Sequence, residues 1–208
     1  MKVLVTEREI KKLISKGEKE IILDNDCILT PLAKDLINHN KIKIVAEKKE
    51  QSSVKCSFKK IAVGSDHTGV KAKKIVLELL NKKDFEVIDV GTFTEEAVDY
   101  PDIAYNVANR VKVGEVDAGI ILDATGIPSA ITANKLPGIR AATCYNEFSA
   151  KSSREHNDAN VLVLGAKALG DESIKSICEV WLKSAFLGDR HQRRLDKIIV
   201  IEEKLLKK

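Results

Sequence analysis

Aromatic residues make up only 4% of the 208-residue chain, and there is a single tryptophan. A core so poor in rings has to be filled by Val, Ile, Leu and Ala, the residues of parallel strands covered by helices. The 44% hydrophobic content supplies them, which disfavours a β-sandwich. No run of about 18 apolar residues occurs anywhere, and the chain carries charge early, at Lys2, Glu7 and Arg8. The sequence therefore predicts a protein that is neither secreted nor membrane-spanning. An excess of one charge is missing too. Lys and Arg total 35 against 31 Asp and Glu, so nucleic acid is not the expected partner and anion binding has to be local. Cys27, Cys56, Cys144 and Cys178 form no C-x-x-C pair, and the last two lie in apolar stretches. Free thiols in a reducing cytosol are expected, not disulfides or zinc ligands.

What is present is an alternation of strand and helix patterns in two blocks. Residues 6–45 read as helix, strand, helix, strand. Thr6 with Glu9 is spaced as a capping box ahead of Ile10, Leu13 and Ile14, because hydroxyl and carboxylate satisfy each other's free amides. Ile21 to Leu23 is a short apolar strand, Thr30-Pro31 opens a second helix, and Ile42, Ile44 and Val45 alternate with lysines. Such a unit is too small to bury much by itself. We expect domains at 1–46 and 59–208 with a charged, Ser-rich linker over 47–58. From Lys59 onward strands are expected at 61–64, 86–90, 118–122, 139–144 and 161–164. Helices are expected at 70–81, 103–113, 148–155, 172–182 and from about Gln192. That pattern predicts an α/β fold: a doubly wound, five-stranded parallel sheet, Rossmann-like, behind a small N-terminal α/β accessory domain.

In open parallel sheets ligands bind beyond the carboxyl ends of the strands, so the segments that follow strands carry the candidate chemistry. Asp66 and His67 sit in Gly64-Ser65-Asp66-His67-Thr68-Gly69. They are either a helix cap with a surface histidine, or groups at a helix start that bind an anion. The loop Asp123-Ala124-Thr125-Gly126-Ile127-Pro128-Ser129-Ala130 is built of small residues. It is either an ordinary turn or a nest of amides for an oxyanion. Asp123 ends an apolar strand, where a desolvated carboxylate suits general-base work; capping the following amides is the alternative. His156 and Asn157 close a helix, where a histidine also interacts well with the helix dipole. Lys167 follows the fifth strand. Arg190-His191-Gln192-Arg193-Arg194 is the densest basic patch. On a helix Arg190 and Arg194 share a face, either solvated or forked around a phosphate.

Five segments in this order, IAVGSDHTG, DVGTFTEEAVDYPD, ITANKLPGIRAA, SREHNDANVLVLG and GDRHQRRLDKI, resemble the ribose-5-phosphate isomerase B and galactose-6-phosphate isomerase family over about two thirds of the chain. The resemblance implies an aldose-ketose isomerase, a homodimer or larger whose subunits share each active site, with no metal or organic cofactor. By that resemblance Asp66 binds sugar hydroxyls, His156 with Thr125 assists ring opening, and Asn157 orients the open chain. His67, Lys167, Arg190, His191 and Arg194 fall on positions at or near the phosphate, the arginines arriving from the neighbouring subunit. The amides of residues 124–129, those of Gly126 and Ser129 among them, fall on the loop that stabilises the enediolate. Ribose-type members often carry a cysteine base where this chain has Asp123 and a glycine where it has Pro128. Some that lack the cysteine use a glutamate at the place of Ser129. The Asp-Ala-x-Gly loop is similar to that of the A subunit of galactose-6-phosphate isomerase, which lacks the histidine corresponding to His67. Residues 3–45 resemble a short segment of proteins from bacterial microcompartment operons, which implies a microcompartment partner bound through residues 6–45.

Two functions follow as expectations. One is an isomerase, free in the cytoplasm or inside a bacterial microcompartment, that converts ribose 5-phosphate, or a hexose 6-phosphate, with Asp123 as base. The other is a sugar-phosphate-binding or partner subunit altered in catalysis.

Overall fold

The computed structural model describes residues 4–23, 27–46 and 58–207. They form two compact units, one within residues 1–53 and one within 54–208. The expected linker lies outside the described residues except for Phe58, and there the boundary needs correcting. Phe58 packs into the second unit, its ring 5.3 Å from that of Trp181 and part of that unit's core.

In the first unit, strand β1 (Leu4–Val5) precedes helix α1 (Glu7–Ser15). The Glu9 carboxylate accepts a hydrogen bond from the Thr6 N–H at 2.7 Å, closing the expected capping box. Strands β2 (Glu20–Leu23) and β3 (Ile28–Leu29), helix α2 (Pro31–His39) and strand β4 (Lys43–Ala46) follow. Two parallel pairs, β1 with β3 and β2 with β4, close on a core of Val5, Ile10, Ile21, Ala33, Ile37 and Ile42.

The second unit runs β5 (Lys60–Ser65), α3 (Val70–Asn81), β6 (Glu86–Gly91), α4 (Tyr100–Lys112), β7 (Ala118–Asp123) and α5 (Ile127–Ala133). It continues with β8 (Ala141–Thr143), α6 (Glu147–Asn157), β9 (Val161–Gly165), α7 (Asp171–Lys183) and α8 (Gln192–Leu206). The five strands form one parallel sheet in the order β6-β5-β7-β9-β8. Alternate strand residues feed two cores, as the period of two requires. Ile61, Val63, Ile120, Leu122 and Leu162 pack on one face with Val76, Ile177 and Trp181. Ala62, Ile121, Val161 and Val163 pack on the other with Val107 and Ala133. Strand order reverses between β5 and β7, the crevice where doubly wound sheets place ligands. Asp66 and Asp123 stand at the carboxyl ends of those two strands.

Candidate functional site

Asp66 follows β5 and is only 6% exposed. Its Oδ1 accepts from the Thr68 amide (2.8 Å), the Thr68 hydroxyl (2.6 Å) and the Gly69 amide (3.2 Å), capping the short 3₁₀ turn that leads into α3. Among the described residues Oδ2 has no hydrogen-bond partner, so one oxygen remains to accept from a ligand. His67 Nδ1 accepts from the Val98 amide at 3.3 Å. That bond leaves Nδ1 unprotonated and puts the ring proton on Nε2 as a donor. His67, Thr68, Lys71, Glu95 and Lys167 line an open cleft of about 280 Å³. Lys167 is placed by the turn after β9, where its amide donates to the Ala124 carbonyl at 3.0 Å. Lys71 and Glu95 escaped the sequence reasoning, although Lys71 stands four residues after His67, a spacing that puts two groups on one helical face.

The loop after β7 turns inward on its own carboxylate. Asp123 is 1% exposed. Its Oδ1 accepts from the Thr125 amide at 2.8 Å and from the Gly126 amide, and its Oδ2 accepts from the Ser129 amide at 3.1 Å. The Ile127 amide donates to the Thr125 hydroxyl at 3.3 Å, and Pro128 has no N–H to offer. Every amide from residue 125 to 129 is thus engaged or absent. The carboxylate offers about four lone-pair sites; three are used, and the remaining one is on Oδ2. Gly126 allows this turn because its φ of +80° is left-handed. Gly165 lets it sit close to β9, since a Cβ there would lie 2.6 Å from the Thr125 carbonyl oxygen. The Tyr145 hydroxyl donates to that same carbonyl at 2.8 Å. The Ser129 hydroxyl is buried without a hydrogen-bond partner among the described residues.

The other candidates lie at the opposite edge of the sheet. Helix α6 begins after the carboxyl end of β8 and runs back. Its eleven residues carry the chain about 16 Å, so His156 and Asn157 stand near the amino ends of β8 and β9. Arg140, just before β8, confirms the placement: its Nε donates to the Asn157 carbonyl at 3.1 Å. The C-terminal segment comes to this edge too. The Leu187 amide donates to the Glu155 carbonyl at 3.1 Å, and the rings of His156 and His191 stack at 4.3 Å and 7°.

His156 Nδ1 lies 3.0 Å from the Ser152 hydroxyl. Arg190 Nε donates to His191 Nε2 at 3.3 Å, which requires an unprotonated nitrogen there. Burial, with the charges of His156, Arg190 and Arg194 adding to it and Asp189 opposing, holds the His191 pKa below its usual 6.5. Arg190 lies in the turn before α8, not on the helix with Arg194 as the spacing had suggested. Both arginines are exposed. Asp66, His67, Asp123, Thr125, Gly126, Ser129 and Lys167 therefore gather at the carboxyl edge, while His156, Asn157, Arg190, His191 and Arg194 gather at the amino edge. Among the described residues no group of three or more His, Cys, Asp or Glu side chains is placed to hold a metal ion.

Comparison with known proteins finds relatives of this chain. The Ribose/Galactose Isomerase family model matches residues 61–198. Ribose-5-phosphate isomerase B of Escherichia coli K12 is 45% identical over 71% of this chain and 99% of its own length. The structure of Clostridium thermocellum ribose-5-phosphate isomerase B superposes with a TM-score of 0.69 at 49% identity, over 70% of this chain and 99% of that one. The Mycoplasma genitalium ribose-5-phosphate isomerase B with bound ribulose-5-phosphate gives a TM-score of 0.67 at 42% identity, over 69% and 96%.

Proposed function

The chain belongs to the ribose/galactose isomerase family, and from that premise we propose that it interconverts ribose 5-phosphate and ribulose 5-phosphate. The observation that carries the reading is the cleft at the carboxyl edge. There His67, with its Nε2 donor, Lys71 and Lys167 line one cleft; Asp66 precedes His67 with an Oδ2 that has no partner among the described residues, and the same edge carries Asp123. Lys167 and the His67 donor take the phosphate, and Asp66 Oδ2 accepts from sugar hydroxyls. Asp123 removes the proton from C2 of the opened aldose through the remaining lone pair of Oδ2 and returns it to C1. Hydroxyl protons move from O2 to O1, so the reaction balances within the sugar. His156 with Thr125 assists ring opening and Asn157 orients the open chain.

Because α6 separates the two groups of residues within one copy, the amino edge of a second copy supplies His156, Asn157, His191 and the phosphate-binding Arg190 and Arg194. The complete site then belongs to a homodimer.

A second reading is favoured by one observation. The amides of Thr125, Gly126 and Ser129 are the donors an enediolate oxygen would need, and they are already bonded to Asp123. A chain in which they stay so would bind sugar phosphate without converting it. Binding and turnover measured in parallel on ribose 5-phosphate, galactose 6-phosphate and allose 6-phosphate separate the two. Turnover of the ribose ester supports the isomerase, binding alone supports the second reading, and absence of binding contradicts both.

For the N-terminal unit we propose a separate role, that of docking the enzyme to a microcompartment partner. A chain starting at Ser57 should then keep its activity and lose only that association; loss of folding would show that the two units form one domain.

A further inference from the structure

The segment between β6 and α4 touches the turn at His67 and the first turn of α3 at successive points. The Phe93 ring lies under the Lys73 ammonium, 4.6 Å from it. The Glu95 carboxylate lies 3.4 Å from the Lys71 ammonium, and the Val98 amide bonds to His67 Nδ1. Lys73 has a closer partner, since it is buried against Asp89. The Lys71–Glu95 pair differs from it in kind: its side chains are 87% and 65% exposed, and an ion pair so open to water contributes little to folding. Yet among the described residues Glu95 is the one acid lining a cleft that otherwise presents His67, Thr68, Lys71 and Lys167.

We propose that Lys71 is a direct ligand of the substrate's phosphate and that Glu95 is its resident counter-ion, which the phosphate displaces. Exchange of a single-charge carboxylate for a phosphate dianion on Lys71 makes the cleft select for phosphate esters. A neutral sugar gains nothing from breaking the pair, whereas a dianion with three acceptor oxygens satisfies Lys71, Lys167 and the Nε2–H of His67 together. Glu95 thereby sets specificity by competition, and Lys71 adds affinity. The inference rests on the proposed function only in taking the ligand to be a phosphate ester.

The test uses the full-length protein and calorimetric binding of inorganic phosphate, ribose 5-phosphate and unphosphorylated ribose, with melting temperatures as a check on folding. Lys71→Ala should weaken binding of both phosphate ligands about tenfold, as loss of a hydrogen bond to a charged group does. Glu95→Gln should strengthen it about two- to fivefold, the scale of an exposed ion pair. Ribose binding should be the same in all three proteins. A pair with no part in phosphate binding predicts unchanged or weaker phosphate affinity in Glu95→Gln, with the melting temperature hardly moved. That result, or unchanged phosphate affinity in Lys71→Ala, overturns the inference. Because inorganic phosphate needs no turnover, these effects are read even if the isomerase assay fails. Turnover without them would leave the proposed function standing and remove this inference alone.

Discussion

The two edges of the sheet hold their polar groups in different ways. At the carboxyl edge, Asp66 and Asp123 are buried and fixed by main-chain amides of the turns in which they sit. At the amino edge, His156 and His191 are fixed by stacking on each other, and Arg190 and Arg194 extend into solvent. Amide-held carboxylates are preorganised, because the turn's own N–H groups hold their oxygens in place. Arg190 is tied through its Nε to His191, and the exposed side chains of both arginines remain open to a ligand. One edge is thus held within a single chain, and under the proposed function the other is completed by a second copy.

The sharpest break in that comparison comes at Asp123. Asp123→Asn should leave the sugar phosphate bound while lowering turnover by about 10² to 10⁴, the usual contribution of a general base. Stopped-assay kinetics beside calorimetry would read both. Normal turnover in the Asn variant would assign proton transfer elsewhere. Asp123→Cys, which restores a base used by ribose-type members of the family, should keep or raise activity on ribose 5-phosphate.

At the amino edge the effect is smaller and falls on binding. Arg190→Ala or Arg194→Ala should each weaken ribose 5-phosphate binding by about 1.5 to 3 kcal/mol, the range for hydrogen bonds to charged groups. The melting temperature should hardly move, because both side chains are exposed. Unchanged affinity in both variants would reduce the patch to a solvated surface.

The smallest effect is a pH dependence. His191 has a folded-state pKa below its ordinary value, so the unfolded chain takes up the proton first as pH falls. The stability linked to neutral His191 is complete above about pH 6.5 and declines as pH drops from there through the lowered pKa. Thermal unfolding compared at about pH 7.5 and 5.5 should show this loss, and His191→Gln should reduce it. An identical pH dependence in the variant would remove His191 as its cause.

Much of this arrangement was legible in the sequence. The strand and helix pattern from Lys59 gave the parallel sheet, and helix α3 spans the expected residues. Strands β1 and β3 were not visible, since two residues are too few to show a period. Helix α5 hid as well. Its start, Gly-Ile-Pro-Ser, reads as a turn, and its buried side is made of Ser129, Ala130 and Ala133 while Ile127 and Ile131 face outward. Tertiary packing, not propensity, holds it.

Of the site, the carboxylates after β5 and β7 could be found because topology alone places ligands there. The position of the SREHND segment could not be read by treating each segment as the end of a strand. It follows a helix that has already carried the chain back across the sheet. The inward turn of the Asp123 loop was one of two readings the sequence left open, and only the geometry shows how many amides it occupies.

Mixed dimers test most directly whether one site is built from both edges. Asp123→Asn damages only the carboxyl edge, and the double variant Arg190→Ala/Arg194→Ala damages only the amino edge. In a two-fold dimer with shared sites, a heterodimer of the two carries one site with both defects and one with neither. Co-expressed in equal amounts, the variants should recover about one quarter of the wild-type kcat/KM, since half of the dimers are mixed and half of their sites are intact. Activity that stays at the average of the two separate variants would contradict a site shared between the edges of two copies.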